Sequence, residues 1–242
     1  MKSLLGRAAF RSTETPRVGS YEDVASEYYD ERLHPTCADF RDASKRFLLD
    51  FVQRERPEGR IADVGCGLSL LSEVLPSKPV LVDSSVQMLN RNGSAAEKRL
   101  VDVELSSFGD AEFDWIFAIL ADPYNSRPAW LNIARALKVG GRCLLIVPSH
   151  RWASQFRNGV ADERIGYARF DRGDSSAVLL PSKVYSQVEQ VSLLHSVGMR
   201  VIDCGHVYVR EIPNVRSRKI SEFLDRDDPL LDCYYAERDR SQ

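Results

Sequence analysis

Short apolar segments alternate with helix-like segments between residues 60 and 147, and this alternation constrains the fold more than any other feature of the chain. The apolar segments cover residues 60–64, 79–82, 98–103, 115–120 and 142–147. Helical patterns fall between most of them, at residues 69–75, 86–90 and 127–137. Short strands separated by helices indicate a parallel sheet with helices on both faces. The sequence therefore predicts a doubly wound α/β fold.

Further elements are expected on both sides of this core. Upstream, "SYEDVASEYYD" begins with a Ser-x-x-Asp capping pattern and places Tyr21, Ala25 and Tyr28 on one helical face. A second helix is predicted over residues 40–54. Downstream, the sequence predicts a short helix in "RWASQFRNG", a hairpin around Gly173, a helix in "SKVYSQVEQVSLLHSVG" and strands in "MRVIDCGHVYV" and "DCYYAER".

We expect one domain, because the chain contains no internal repeat and no low-complexity linker. Residues 1–19 are expected to form a flexible leader, and residues 20–242 the domain itself. Within the domain we distinguish lid helices (20–56), a ligand-binding core (57–148), a substrate-side insertion (149–182) and the C-terminal part of the sheet (183–242).

The composition excludes some classes of protein. The net charge of −2 provides no general basic field for nucleic acid, although a local basic patch remains possible. The five cysteines have no CxxC spacing and the four histidines no metal-ligand spacing, so we expect a reducing compartment and no metal. No apolar run approaches the ~20 residues that span a bilayer. We therefore expect a cytoplasmic protein without membrane contacts.

The first strand of the core runs into a Gly-Cys-Gly turn, in "IADVGCGLSLL". Such a turn brings backbone N–H groups close to a ligand. The dinucleotide fingerprint G-x-G-x-x-G lacks its third glycine, because Leu70 stands there. Asp63 would repel a pyrophosphate but would favour a ligand that carries an ammonium and a sulfonium. S-adenosylmethionine (SAM) is such a ligand, and its carboxylate is expected on the N–H groups of the turn.

Two further acids follow the next strands. Asp83 ends the second strand, where a carboxylate can accept hydrogen bonds from both hydroxyls of an adenosine ribose. NAD and SAM both contain this ribose, so Asp83 supports an adenosine ligand without distinguishing between the two. Met88 is placed to lie against the adenine. Asp102 ends the third strand and could accept from the adenine amino group, beside the backbone N–H of Val103.

The ordered set of motifs "IADVGCGLS", "LVDSSVQML", "LVDV", "FDWIFAIL" and "LKVGGRCLLIVPS" resembles the class I (Rossmann-like) SAM-dependent methyltransferases. The upstream "YEDVASEYYD" is similar to the lead-in helix of that superfamily. The resemblance implies a mostly parallel seven-stranded sheet with an antiparallel last strand. It also implies methyl transfer from SAM to an O or N acceptor, with S-adenosylhomocysteine (SAH) as product. Ser69 and Val139 depart from the family pattern, which usually has glycine and proline there.

The resemblance also implies a set of cofactor-binding residues. These are Tyr21, Tyr28, Asp63, Gly65, Cys66, Gly67, Asp83, Ser84, Met88, Asp102, Val103 and Ala118. For the two tyrosines, packing of the lead-in helix is an equally open interpretation.

The segment "ADPYN" follows the fourth strand of the core. It is similar to the Asn/Asp-Pro-Pro-Tyr motif with which members of the superfamily orient an acceptor amine, but it has one proline less. Asp122 and Tyr124 are therefore candidate catalytic residues, and a simple tight turn is the alternative. His150 and His34 are candidate general bases, and neither has a partner that the sequence shows.

The acceptor pocket is expected between residues 20–45 and 150–182, where aromatic side chains mix with Arg and Asp. This mixture favours a small or medium-sized, partly polar acceptor. A nucleic acid base or a protein side chain remains an alternative acceptor. A catalytically silent SAM-binding partner protein and a nucleotide-binding oxidoreductase are the alternatives from other classes. The sequence predicts no oligomeric state.

Overall fold

The computed structural model describes residues 16–93, 95–156 and 166–239. These residues contain ten strands, which are β1 Arg17–Val18, β2 Ile61–Val64, β3 Val80–Asp83, β4 Lys98–Leu100, β5 Phe113–Ile119, β6 Leu137–Pro148, β7 Tyr167–Asp171, β8 Ala177–Pro181, β9 Met199–Tyr208 and β10 Pro229–Arg238. The same residues contain eight α-helices, which are α1 Tyr21–Val24, α2 Pro35–Glu55, α3 Leu71–Val74, α4 Val86–Asn90, α5 Arg127–Ala136, α6 His150–Phe156, α7 Gln187–His195 and α8 Arg218–Phe223.

Seven of the strands form one sheet in the order β4-β3-β2-β5-β6-β10-β9. The first five strands of this order are parallel, and β10 is antiparallel to both β6 and β9. The α/β fold with an antiparallel last strand is therefore confirmed. From β2 the chain adds β3 and β4 on one side, and it then adds β5 and β6 on the other side of β2. The order of strands therefore reverses between β2 and β5. Open α/β sheets bind ligands at such a point, beyond the carboxyl ends of the strands.

The central strands β2, β3 and β5 are mostly apolar and buried because helices cover both faces of the sheet. Along β5, Trp115 and Phe117 pack with Phe51 of α2 on one face. Ile116 packs with Trp130 of α5 on the other face. Successive side chains of a strand point to opposite faces, so a run that is apolar at every position is buried on both. Burial of both faces fixes the register of β2, β3 and β5, and with it the position of their carboxyl ends.

The insertion after β6 forms a second, three-stranded sheet. β7 and β8 make the predicted antiparallel hairpin, and β1 pairs parallel to β8. Phe170, Val178 and Leu180 of this sheet form a small core with Val24 of α1. The insertion and the N-terminal segment therefore pack against each other.

Some predicted bounds differ from those of the structure. Residues 17–18 of the predicted leader are strand β1, while residues 1–15 lie outside the described residues. α1 ends after one turn at Val24 and continues as turns. α2 begins at Pro35 rather than residue 40, because proline is well tolerated in a first helical turn. β4 ends before Asp102, whose side chain accepts from the N–H of Glu104 and starts a local turn.

Two other sequence expectations concern features that the described residues lack. None of the described helices has the length and hydropathy of a membrane span. The described residues contain no group of three or more His, Cys, Asp or Glu side chains arranged to hold a metal ion. The five cysteines are free thiols.

Candidate functional site

A cavity of about 560 Å³ opens at the carboxyl ends of β2, β3 and β5. The glycine turn after β2 and the residues following β5 form its inner part. The segment between α1 and α2, strand β7 and the segment that leads into α8 form its outer part. The cavity therefore joins the predicted ligand-binding core to the predicted substrate-side insertion.

The glycine turn has backbone conformations that favour glycine. Gly65 and Gly67 have φ angles of +63° and +46°. A Cβ atom on Gly67 would lie 2.0 Å from the Tyr29 hydroxyl, and one on Gly65 would lie 3.0 Å from the Tyr124 ring. The two glycines therefore let two tyrosines pack directly on the backbone of the turn.

The N–H groups of this turn donate hydrogen bonds within the protein. The bonds run from Gly65 and Cys66 to Val82 O, from Gly67 to Asp83 Oδ2, from Leu68 to the Tyr29 hydroxyl and from Ser69 to Asn92 Oδ1. In this conformation, the N–H groups that were expected to hold the carboxylate of SAM are therefore engaged within the protein. We therefore consider other hydrogen-bond donors for the carboxylate of SAM.

Asp63 lies at the inner end of the cavity and is almost completely buried. Its Oδ2 accepts a 2.6 Å hydrogen bond from the Ser69 hydroxyl, whereas its buried Oδ1 has no hydrogen-bond partner among the described residues. Burial raises the pKa of this carboxyl to about 7. Ser69, the departure from the family's glycine pattern, therefore serves to hold Asp63. The unsatisfied oxygen is free to accept from a ligand.

Asp83 ends β3 beside the same turn. Its two oxygens accept 2.9 Å hydrogen bonds from the N–H groups of Gly67 and Ser85. A carboxylate can accept about four hydrogen bonds, so Asp83 keeps capacity to accept from a ligand. Burial raises the pKa of Asp83, and the hydrogen bonds from the backbone oppose this rise. Met88, also buried, lines the cavity beside it.

Tyr29 and Arg41 also line the inner cavity. The sequence predicted Tyr29 only as an aromatic wall of the acceptor pocket and did not single out Arg41. The Tyr29 hydroxyl accepts from Leu68 N at 2.6 Å, and Arg41 donates to Leu68 O and to Glu73. The guanidinium carbon lies 5.3 Å from the centre of the Tyr29 ring. These residues come from two segments outside the core motifs, so spacing along the chain did not reveal that they meet the glycine turn.

Tyr21 and Tyr28 lie farther out, on the walls shared with the insertion. The Tyr21 hydroxyl donates to Pro181 O at 3.3 Å. The Tyr28 ring stacks on Phe170 at 5.7 Å between ring centres. Both tyrosines line the cavity and contact the second sheet, and the Tyr28 ring also packs edge-on against Tyr29 at 5.0 Å between ring centres.

Asp122 and Tyr124 lie in a single 3₁₀ turn after β5. The buried Asp122 carboxylate accepts from the Ser182 hydroxyl, and the Tyr124 hydroxyl donates to the Ser84 hydroxyl at 2.5 Å. Asp122 therefore lies against the end of β8, whereas Tyr124 is tied to the loop that follows Asp83. Both residues line the cavity.

Five predicted site residues are not among the residues that line the cavity. They are Ser84, Asp102, Val103, Ala118 and His150. Val103 and Ala118 are buried in the main core. His150 is exposed at the start of α6, where its N–H donates to Asp232 at 2.8 Å.

His34, by contrast, is buried in the outer part of the cavity and has a carboxylate neighbour. Its Nε2 lies 3.5 Å from Oε2 of Glu27, and its ring centre lies 4.2 Å from that of Phe170. Glu27 is held in turn by Arg172 and by the N–H of Gly173. Burial lowers the pKa of His34.

Comparisons with known proteins agree with this geometry. Residues 62–145 match the family model of a methyltransferase domain. The chain has a methyltransferase domain on the class I SAM-dependent methyltransferase fold. This match confirms the prediction that the chain resembles the class I SAM-dependent methyltransferase superfamily and the prediction that it is a SAM-dependent methyltransferase. No curated protein matches the chain in sequence.

Three solved structures illustrate the shared fold. The DhpI–SAM–HEP complex is 15% identical with a TM-score of 0.64, over 89% of this chain and 93% of that one. A SAM-dependent methyltransferase from Clostridium acetobutylicum is 15% identical with a TM-score of 0.58, over 90% and 99%. The 1,6-didemethyltoxoflavin-N1-methyltransferase of Burkholderia thailandensis, with 1,6-didemethyltoxoflavin and SAH bound, is 16% identical with a TM-score of 0.53, over 90% and 86%.

Proposed function

We propose that the protein transfers the methyl group of SAM to an O or N atom of a small or medium-sized, partly polar molecule and releases SAH. One observation carries the proposal. A single cavity joins two buried carboxylates at the glycine turn, Asp63 and Asp83, to an outer compartment with aromatic walls. SAM supplies the electrophilic methyl group, and the protein has to bind both reactants and align them.

The inner cavity fits the charged groups of SAM. The unsatisfied Oδ1 of Asp63 can accept from the ammonium group, which also favours the ionised carboxyl. The remaining lone pairs of Asp83 can accept from the ribose hydroxyls. A pyrophosphate in the same place would meet two buried carboxylates, and like charges repel strongly where water is excluded.

Tyr29 and Arg41 are the donors that we assign to the carboxylate of SAM. The Tyr29 hydroxyl accepts from Leu68 N and keeps its own hydrogen for donation. Arg41 has five N–H donors, and its described hydrogen bonds to Leu68 and Glu73 leave others available. Charge-assisted bonds from a guanidinium to a carboxylate are among the stronger hydrogen bonds in proteins.

The outer compartment is where we place the acceptor. Tyr28, Phe170 and Trp152 provide apolar walls, and the Asp122 carboxylate lies at the junction with the inner part. Alignment of acceptor and methyl group can contribute roughly 7–11 kcal/mol to lowering the barrier. We propose that Asp122 accepts a hydrogen bond from the acceptor and holds its lone pair towards the methyl group.

His34 is the candidate base for a hydroxyl acceptor. Its lowered pKa keeps the imidazole neutral near pH 7, so it can take a proton. Glu27 can stabilise the imidazolium that then forms, since the two side chains are 3.5 Å apart. We transfer this role from His150, whose side chain is exposed.

A label-transfer screen tests the proposal. Cell extract is incubated with the protein and SAM that carries a labelled methyl group, and small-molecule, nucleic acid and protein fractions are counted separately. Label in the small-molecule fraction, lost with Asp122→Ala, supports the proposal. Label in the nucleic acid or protein fraction contradicts the proposed acceptor class. SAM binding without label in any fraction favours the silent partner protein.

A further inference from the structure

A basic segment lies at the outer end of the cavity. Residues 216–219 read Arg-Ser-Arg-Lys, and all four line the cavity together with Arg169 of β7. These side chains belong to β7 and to the segment at the start of α8, whereas Asp63 and Asp83 belong to β2 and β3. The lining of the cavity therefore has two buried acids on the side of the main sheet and a group of basic residues on the side of β7 and α8.

The basic residues of this segment differ in the number of acidic partners that they have. Arg216 forms ion pairs with Glu31, Asp39 and Asp42 and is therefore neutralised. The Arg218 guanidinium forms no ion pair or hydrogen bond within the part of the chain that the structure describes, and only the Arg218 carbonyl accepts, from the Ser221 hydroxyl.

Arg169 and Lys219 share one carboxylate. Asp171 accepts from Arg169 Nε at 2.7 Å through one oxygen and from Lys219 Nζ at 3.3 Å through the other. Asp171 therefore holds the two cations close together. The Arg218 side chain lines the cavity with them, so this part of the lining presents three cationic side chains towards a ligand.

The backbone of the basic segment is held by buried groups. The fully buried Asp39 carboxylate of α2 accepts from the N–H groups of Arg216 and Ser217 at 2.9 and 2.8 Å. The hydroxyls of Thr36 and Ser217 are 2.7 Å apart. Both N–H groups donate to Oδ2 of Asp39, while its Oδ1 has no hydrogen-bond partner among the described residues and lies 3.7 Å from Nε of Arg216. The backbone bonds to this buried carboxylate fix the basic segment on α2.

The basic end also faces the proposed acceptor compartment. Thr36 and Cys37 of α2 and Phe170 of β7 line the cavity beside the basic residues. The charge of Lys219 reaches His34, where it adds to the effect of burial in lowering the pKa of the imidazole. An acceptor that fills the compartment therefore has one end near Asp122 and the other near Arg218 and Lys219.

We infer that the acceptor carries an oxyanion, a carboxylate or a phosphate, which binds Arg218, Lys219 and Arg169 while the atom to be methylated lies near Asp122. This inference rests on the proposed function and names the chemical class of its acceptor. The planar fork of an arginine suits both oxyanions, because it can donate two parallel hydrogen bonds to either. The partly exposed setting makes the attraction sensitive to salt.

Calorimetric binding of model compounds to the SAH-loaded protein tests the inference. The probes are benzoate and phenyl phosphate, with benzamide as the neutral probe of similar shape. We expect both anions to bind more tightly than benzamide, and more weakly at high salt. The relative affinity of benzoate and phenyl phosphate shows which oxyanion the site prefers. If neither anion binds up to millimolar concentration, or if benzamide binds equally well, the inference is overturned.

A double variant with a matched control makes the test specific. Arg218→Gln with Lys219→Gln should weaken anion binding about tenfold or more, because hydrogen bonds to charged groups are lost. Arg200→Gln with Lys138→Gln changes the net charge equally at exposed ion pairs outside the cavity and should leave anion binding unchanged. If both double variants lose anion affinity equally, the loss reflects the net charge of the protein rather than a specific site, and the inference is overturned.

The SAH titration that precedes each measurement separates this inference from the proposed function. If SAH binds normally and the anions do not discriminate, the anion site is wrong and the proposed function stands. If SAH does not bind, the proposed function fails. Titration of the same anions into the protein without SAH then decides the inference, with the same expected and contradicting results.

Discussion

The hydroxyl of Ser69 donates a 2.6 Å hydrogen bond to one oxygen of Asp63, and the other oxygen of this buried carboxylate has no hydrogen-bond partner among the described residues. The pair lies at the inner end of the cavity, below the glycine turn. Burial raises the pKa of the Asp63 carboxyl to about 7. This carboxyl lies beside the place that we assign to the ammonium group of SAM. The charge state of Asp63 should therefore control the affinity for SAM.

The first prediction is a pH-dependent affinity for SAM. Below its pKa of about 7 the Asp63 carboxyl of the free protein is protonated, and binding of an ammonium requires that it lose this proton. Affinity should therefore fall as the pH drops from 7 to 5.5, by up to about tenfold per pH unit. Asp63→Asn should bind more weakly at pH 7 and show no such slope in calorimetric titrations. A wild-type affinity that is constant over this range contradicts the assignment.

The second prediction concerns the stability of the ligand-free protein. Burial raises the pKa of Asp63 from its ordinary value of 3.8 to about 7, so its contribution to stability is greatest at low pH and is lost as the pH rises towards 7. Asp63→Asn avoids burying a charge and should melt at a higher temperature than the wild type at pH 8, by about 2–4 °C per kcal/mol. The gain should shrink at pH 5. A variant that melts lower at pH 8 shows that the ionised carboxyl is satisfied.

The third prediction assigns Arg41 to the carboxylate of SAM. Arg41→Gln should weaken SAM binding by about 1.5–3 kcal/mol, the range for hydrogen bonds to charged groups. Its affinity for 5′-methylthioadenosine, which lacks the amino acid part of SAM, should stay unchanged. Lys45→Gln is the control, because Lys45 shares Glu73 with Arg41 but does not line the cavity. Equal losses for both ligands would make Arg41 a structural residue.

The fourth prediction concerns Asp122. Asp122→Ala should lower kcat and leave SAM affinity nearly unchanged, because the proposed hydrogen bond acts on the acceptor. Ser182→Ala should lower kcat less, since the Ser182 hydroxyl only orients the carboxylate. Single-turnover rates with the acceptor found in the label-transfer screen measure both effects. A loss of SAM affinity in Asp122→Ala would make the residue a cofactor contact.

Much of the core could be predicted because local signals and burial agree there. Helix α4 has the predicted bounds, since Ser85 caps it by accepting from Met88 N. β2 and β3 begin and end within one residue of their predicted bounds, because apolar runs between turn residues mark strands buried on both faces. The sequence also placed Asp63 and Asp83 correctly at the carboxyl ends of these strands.

The rest of the site depends on contacts between distant segments. Tyr29 and Arg41 meet the glycine turn only after α2 has packed on the sheet, and the basic segment 216–219 meets α2 through Asp39. Spacing along the chain carries no signal of such contacts. The sequence also could not show that the N–H groups of the turn bind within the protein, because two of their partners, Tyr29 and Asn92, lie in other segments of the chain. His34 gains its role from Glu27, a neighbour that only the folded chain provides.

The most direct test of the central claim is a calorimetric titration of SAM, SAH and NAD into the wild type and Asp83→Ala. Asp83 is the acid that we assign to the ribose, while Asp110→Ala removes an exposed acid outside the cavity and serves as control. We predict that SAM and SAH bind and NAD does not, and that Asp83→Ala alone weakens binding by about 1.5–3 kcal/mol. Binding of NAD as tight as that of SAM, or normal SAM binding by Asp83→Ala, would contradict the account.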